Sequence, residues 1–125
     1  MIEARRKAAE SIPQMLELFN GEVGFTKVKV PFVTSSGVTE NLWSELLRVE
    51  GGTIHVRYET PPVSHTGKLE RLHTHALADI RDWVYMKDPK RYLGGYSMRV
   101  MFNRGREQWG DLPPELKAEE AKYAG

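Results

Sequence analysis

The sequence predicts an α+β fold, and three observations carry that expectation. Apolar residues recur at helical spacing from Ile2 to Phe19, the period drops to two from Phe25 onward, and the alternating segments are short and joined mostly by tight turns. Together these imply an N-terminal helix packed on a small, strongly bent antiparallel sheet or partly open barrel of about five strands, with a short C-terminal helical tail.

In the first segment Ala4, Ala8, Ile12, Met15, Leu16 and Phe19 form the apolar stripe, with Arg5, Arg6, Lys7 and Glu10 between them. Pro13 has no N–H to give and must kink this helix or open a second one, with Ser11 as N-cap. Gly21 in "NGEVG" is placed to end it.

In "FTKVKVPFV" Val28, Val30 and Phe32 are expected inward and the lysines outward. "TSSGVTE" reads as a turn. "NLWSELLRV" is a second strand, with Trp43, Leu47 and Val49 assigned to one face. "EGG" is a hairpin turn leading into "TIHVRYE", where Ile54, Val56 and Tyr58 alternate with His55 and Arg57.

"TPPVSHTGK" is a loop, because prolines and a glycine bar a central strand. "LERLHTHAL" is a fourth strand, "ADIRDW" a short helical turn and "GGYSMRVMF" a last strand, with Tyr96, Met98 and Val100 alternating. The expected boundary follows Phe102: residues 1–102 form one α+β domain, and 103–125 form a polar linker and a short helix opening near Pro113 and Pro114. Leu116 and Tyr123 are the only large apolar residues of that helix, so it is expected to rest weakly on the body. The expected core is Ile12, Leu16, Val28, Val30, Trp43, Ile54, Val56, Tyr58, Ile80, Trp83, Tyr96, Met98 and Val100.

Bulk composition narrows the function. The chain has 125 residues, with 18 Lys and Arg against 17 Asp and Glu. That balance gives no general field for nucleic acid and does not mimic DNA. With no cysteine, disulfides, thiol chemistry and Cys-based zinc sites are excluded. "MIEARRKAAESIPQML" lacks an apolar signal-peptide core and no stretch approaches the roughly 20 residues of a membrane span, so a cytoplasmic address is expected.

"KVKVPF", "LWSELLRVEGGTIHVRYETP", "ADIRDWVYM" and "GGYSMRV" occur here in that order. The order resembles the YegJ-like bacterial domains of unknown function, over roughly Arg5 to Met101. Trp43, Glu45, Asp82, Trp83, Tyr85, Gly94, Gly95, Tyr96 and Arg99 carry the resemblance. It implies the α+β arrangement and supplies no activity, so it transfers no catalytic residue. Members of that family carry aliphatic residues where this chain has His73 and His75.

Several residue sets could carry chemistry. His73 and His75 lie two apart in a strand and so share a face; with His55 or His65 they could hold a divalent metal, the basis of a metal-binding or metal-dependent hydrolase alternative. Solvated or hydrogen-bonded imidazoles are the favoured account of the same residues. Asp79 and Asp82 could pair as catalytic acids; a cap at Asp79 and backbone N–H groups bonded to Asp82 are favoured over that. Gly94 and Gly95 lack the following Lys-Ser/Thr of a phosphate loop, so a bulge or close backbone approach near Trp83 and Tyr96 is expected.

Lys87, Lys90, Arg91, Arg99, Arg104 and Arg106 interleave with Tyr85, Tyr92 and Trp109, a pattern that could hold nucleic acid, but nearby acids dilute it. No nucleophile elbow, Walker loop or dinucleotide fingerprint occurs. The preferred expectation is a non-enzymatic module that binds a protein partner through Trp109, Tyr92, Arg91 and Arg106, with no cofactor and no membrane. Immunity-type or defence-inhibiting factors are the analogy for so small a domain.

Overall fold

A computed structural model describes residues 2–21, 24–59, 62 and 70–123. The loop expected over 60–68, apart from Pro62, lies outside the described residues, and His65 with it. The fold is α+β, with four α-helices and six strands among the described residues. The chain divides into two compact units, Thr26–Arg81 and Met1–Phe25 with Asp82–Gly125.

The unit Thr26–Arg81 is built on an antiparallel meander of β1 (Phe25–Val33), β2 (Thr39–Glu50), β3 (Thr53–Tyr58) and β4 (Leu72–Ala76), each paired with the next. It is an open sheet in which β1 and β4 do not pair with each other. Thr26, Val28 and Val30 face inward with Leu42, Ser44, Leu46, Ile54, Val56 and Tyr58. The sheet curls strongly. Strands about 4.8 Å apart would hold β1 and β4 some three spacings apart if flat, yet the rings of Phe32 and His73 lie 6.0 Å apart.

Trp43 is not in this core. It is half-buried on the opposite face, with the Lys29 ammonium 5.2 Å from its ring centre, a cation–π contact. Small, polar Ser44 occupies the buried position opposite Tyr58 and disguises which face is inward. A bulge between Leu46 and Arg48 then changes the alternation and leaves Leu47 exposed. The hairpin at Gly51 and Gly52 forms as expected, with Gly51 at φ 59°.

The other unit opens with α1 (Ile2–Glu10) and α2 (Ile12–Asn20), broken at Ser11. Pro13 in the first turn of α2 explains the break. Ser11 caps differently from the expectation: its hydroxyl donates back to the Lys7 carbonyl at 2.8 Å and accepts the Trp83 indole N–H at 2.9 Å. Ala4, Ala8 and Met15 are the residues that α1 and α2 bury, while Ile12 and Leu16 are half-buried. Both helices pack on β5 (Asp82–Asp88), which pairs antiparallel with β6 (Arg91–Gly94).

Several expectations about the second half are corrected. The helical turn is confined to Leu77–Asp79 and Asp82 already begins a strand. "GGYSMRVMF" is not a strand: Tyr96–Trp109 is α3. Alternation over five residues does not separate strand from helix, and the buried stripe of α3 is Ser97, Phe102 and Gly105, whose small members hide the helical period. Gly95, in the left-handed region at φ 68°, turns the chain from β6 into α3. Consequently Tyr96, Met98 and Val100 are half-buried helix residues, not strand core.

The polar linker expected after Phe102 is therefore mostly α3. The last helix, α4 (Pro114–Ala121), does not rest weakly: Leu112 and Tyr123, which flank it, are both buried. Tyr123 meets Tyr92 edge-on at 5.2 Å and Phe102 at 5.8 Å.

Candidate functional site

The β5–β6 hairpin sets one wall of a surface hollow. Its turn falls at Pro89 and Lys90, where the Asp88 carboxylate accepts the Lys90 N–H and the Arg91 Nε–H, each at 2.8 Å. The Lys90 N–H and then the Arg91 guanidinium hold the Asp88 carboxyl below the usual carboxylate range. The end of α4 sets the other wall, because the Tyr92 N–H donates to the Lys122 carbonyl at 2.6 Å.

Between these walls is a hollow of about 270 Å³. Lys87, Lys90, Arg91 and Lys122 surround a floor of Tyr92, Leu93 and Ala121. The Lys122 ammonium pairs with Glu119 at 3.0 Å and lies 5.6 Å from the Tyr92 ring centre. The Glu119 carboxylate raises the affinity of Lys122 for its proton. Burial pushes the Tyr123 phenol up to about 12, with Glu119, Tyr92 and Asp82 adding to the effect, so it stays neutral at ordinary pH.

The four residues expected to bind a partner separate here. Arg91 is exposed at the rim of the hollow. Tyr92 is only 9% exposed, and its ring serves the packing of Tyr123. Arg106 ties α3 to α4, its Nη1 reaching both oxygens of Glu120 at 2.6 and 2.5 Å. Trp109, at the C-terminal end of α3, is the exposed ring of the set, at 59%. The interleaved rings of the nucleic-acid alternative do not form a platform, since Tyr85 and Tyr92 are both buried.

His73 and His75 do share the inner face, opposite Val56 and Ile54. His73 stacks on Tyr58 at 4.3 Å with planes 7° apart, and the His75 Nε2 is 2.7 Å from the Tyr58 hydroxyl. His55 pairs with Thr74 and so faces the opposite side, beside Arg48 and Glu50. The ligand set of His73, His75 and His55 is thus not assembled, because alternation sends the third imidazole through the sheet. Among the described residues no cluster of three or more His, Cys, Asp or Glu side chains could hold a metal.

Asp82 is buried, at 1% exposure, and its oxygens accept N–H bonds from Trp83, Tyr96 and Ser97 and the Ser97 hydroxyl. Asp79 is exposed. The Asp82 carboxylate is engaged by three backbone N–H groups and the Ser97 hydroxyl, and its favoured account named the backbone N–H groups.

Fold and surface together define a small α+β domain that offers solvent an exposed indole and a hollow bordered by cations. Comparison with family models, curated proteins and solved structures gives no match. Among the described residues no helix is long and apolar enough to cross a membrane. The part of Lys122 in the hollow escaped the sequence, because the tail was placed outside the domain. Tyr123, a large ring in a polar helix, was the available signal that the tail docks.

Proposed function

We propose that this protein is a non-enzymatic binding module that acts through a protein partner, with Trp109 as its anchor. The observation that carries this reading is the exposure of the Trp109 indole on a helix fixed at both ends. Asp82 holds the start of α3, and the Arg106–Glu120 pair ties its later turns to α4. An exposed tryptophan on a rigid element loses little entropy on docking and gains much from desolvation, which is why such rings dominate interface energetics.

Two further points support the reading: the sequence has no recognised catalytic motif, and it resembles the YegJ-like domains, to which no chemistry is attached. Kinship with that family is part of this proposal.

The test is quantitative capture. Tagged wild type and Trp109→Ala are cross-linked in lysate of the source cells, and a partner recovered with wild type is purified and titrated against both. The expected result is at least roughly tenfold weaker binding by Trp109→Ala, in line with an interface hot spot. Equal affinity for both forms removes Trp109 as the anchor and this reading with it.

A further inference from the structure

The hollow between β6 and α4 has a composition that selects its occupant. Its floor is apolar, made of Tyr92, Leu93 and Ala121, and its rim is cationic. At about 270 Å³ it falls below the ~300–1,000 Å³ of drug-sized ligand pockets. One bulky side chain of a peptide suits that volume better than a cofactor.

The rim charges are not equivalent. Arg91 is paired with Asp88 and Lys122 with Glu119, which fixes both cations in place. Among the described residues neither the Lys87 nor the Lys90 ammonium group pairs with a carboxylate. Both of these lysines are exposed. Four cations against two carboxylates leave an excess of two positive charges around an apolar floor. Single-stranded nucleic acid is held by stacking on exposed ring faces as well as by cations. Tyr92, the only aromatic residue lining the hollow among the described residues, is buried, with the Tyr123 edge against it and the Lys122 ammonium over its ring.

From this complementarity we propose that the hollow binds an acidic peptide segment of the partner, with one apolar side chain seated on Leu93 and Ala121 and flanking carboxylates held by Lys87 and Lys90. The inference rests on the protein-partner reading and names the chemistry of the partner. It adds a second contact, separate from Trp109, which does not line the hollow. Charge pairing of this type steers encounter and selects partners, and its strength falls as salt rises.

The probe is a fluorescein-labelled peptide of about ten residues, Asp and Glu around one central Phe, followed by fluorescence anisotropy with the full chain. Wild type is expected to bind it. The double reversal Lys87→Glu with Lys90→Glu, at exposed positions, is expected to retain the wild-type thermal transition and to bind roughly tenfold more weakly or worse. Trp109→Ala is expected to bind the peptide as wild type does.

No binding by wild type, or undiminished binding by a folded double reversal, overturns the inference. So does displacement of the peptide by oligodeoxythymidylate at lower concentration than by unlabelled peptide, which would make the hollow a nucleic-acid site. If wild type ignores the peptide while Trp109→Ala still loses its captured partner, this inference alone fails. If Trp109→Ala keeps that partner at full affinity, the protein-partner reading fails and takes the inference with it.

Discussion

Asp82 and Ser97, fifteen positions apart in sequence, are joined by two hydrogen bonds: the Asp82 Oδ2 accepts the Ser97 N–H at 2.8 Å and the Ser97 hydroxyl at 2.5 Å. The carboxylate at the start of β5 thereby serves as the missing cap of α3, whose preceding residue, Gly95, has no side chain to offer. A negative charge at a helix N-terminus meets both the unpaired N–H groups and the positive end of the helix dipole. This contact converts "GGYSMRV" from a plausible strand into the first turns of a helix.

Removing that carboxylate should be costly. Asp82→Ala strands the Trp83, Tyr96 and Ser97 N–H groups in a buried place and is expected to lose about 3 kcal/mol or more of stability. Ser97→Ala removes the hydroxyl bond and leaves the N–H bond, and is expected to lose about 1.5 kcal/mol. Urea denaturation measures both; an Asp82→Ala midpoint equal to wild type would contradict the capping role.

Gly94 and Gly51 both have positive φ, at 83° and 59°, yet their surroundings differ. A Cβ on Gly94 would sit 2.4 Å from the Trp83 carbonyl oxygen and 2.7 Å from its ring, whereas one on Gly51 meets only open space. Gly51→Ala is therefore expected to cost only the backbone strain, about 1 kcal/mol. Gly94→Ala adds overpacking against backbone and should cost about 3 kcal/mol in all. Equal costs in denaturant titrations would mean that the close approach to Trp83 is not what requires glycine there.

How far the sequence reveals this molecule depends on the range of the forces involved. Val28, Val30, Ile54, Val56 and Tyr58 were legible because strand alternation is local, and all are buried. Pro13 announced the break at Ser11 for the same reason. The fate of Tyr96–Trp109 was not legible, because its start is fixed by a carboxylate from another strand. Trp43 misled because size outweighed pattern: the larger residue was assigned inward, and the small Ser44 is the one buried.

The candidate site was legible in part. Trp109 is exposed, as expected of an anchor, and Arg91 is exposed as well. Tyr92 and Arg106 turned out to hold α4, since their partners Tyr123 and Glu120 come from a tail that composition alone marks as peripheral. For the histidines, alternation correctly joined His73 to His75, and only the β3–β4 register could show that His55 points the other way.

The docking of α4 gives its own test. Tyr123 is buried against Tyr92 and Phe102, whereas Leu116 on the same segment is exposed. Tyr123→Ala is expected to lose about 3 kcal/mol and Leu116→Ala less than about 0.5 kcal/mol. Hydrogen exchange over Pro114–Ala121 should quicken in Tyr123→Ala well beyond any change in Leu116→Ala. Similar exchange in both variants would show that Tyr123 does not pin the helix.

His75 should make stability depend on pH, and the direction can be worked out. Burial, then the neighbouring His73, lower its proton affinity below the ordinary histidine value of 6.5, and Asp79 opposes them weakly. Burial pushes the Tyr58 phenol up to about 12, so it keeps its proton and can donate to the neutral His75 Nε2. The unfolded chain therefore binds a proton at His75 more readily than the folded one does. Stability from this residue is complete above pH ~6.5 and is lost as pH falls from there through the lower folded value, below which both states are protonated and the loss levels off. Urea midpoints from pH ~7.5 to ~5 are expected to fall for wild type and to fall less steeply for His75→Gln, which cannot take up the proton. Parallel slopes for the two proteins would show that His75 does not carry the dependence.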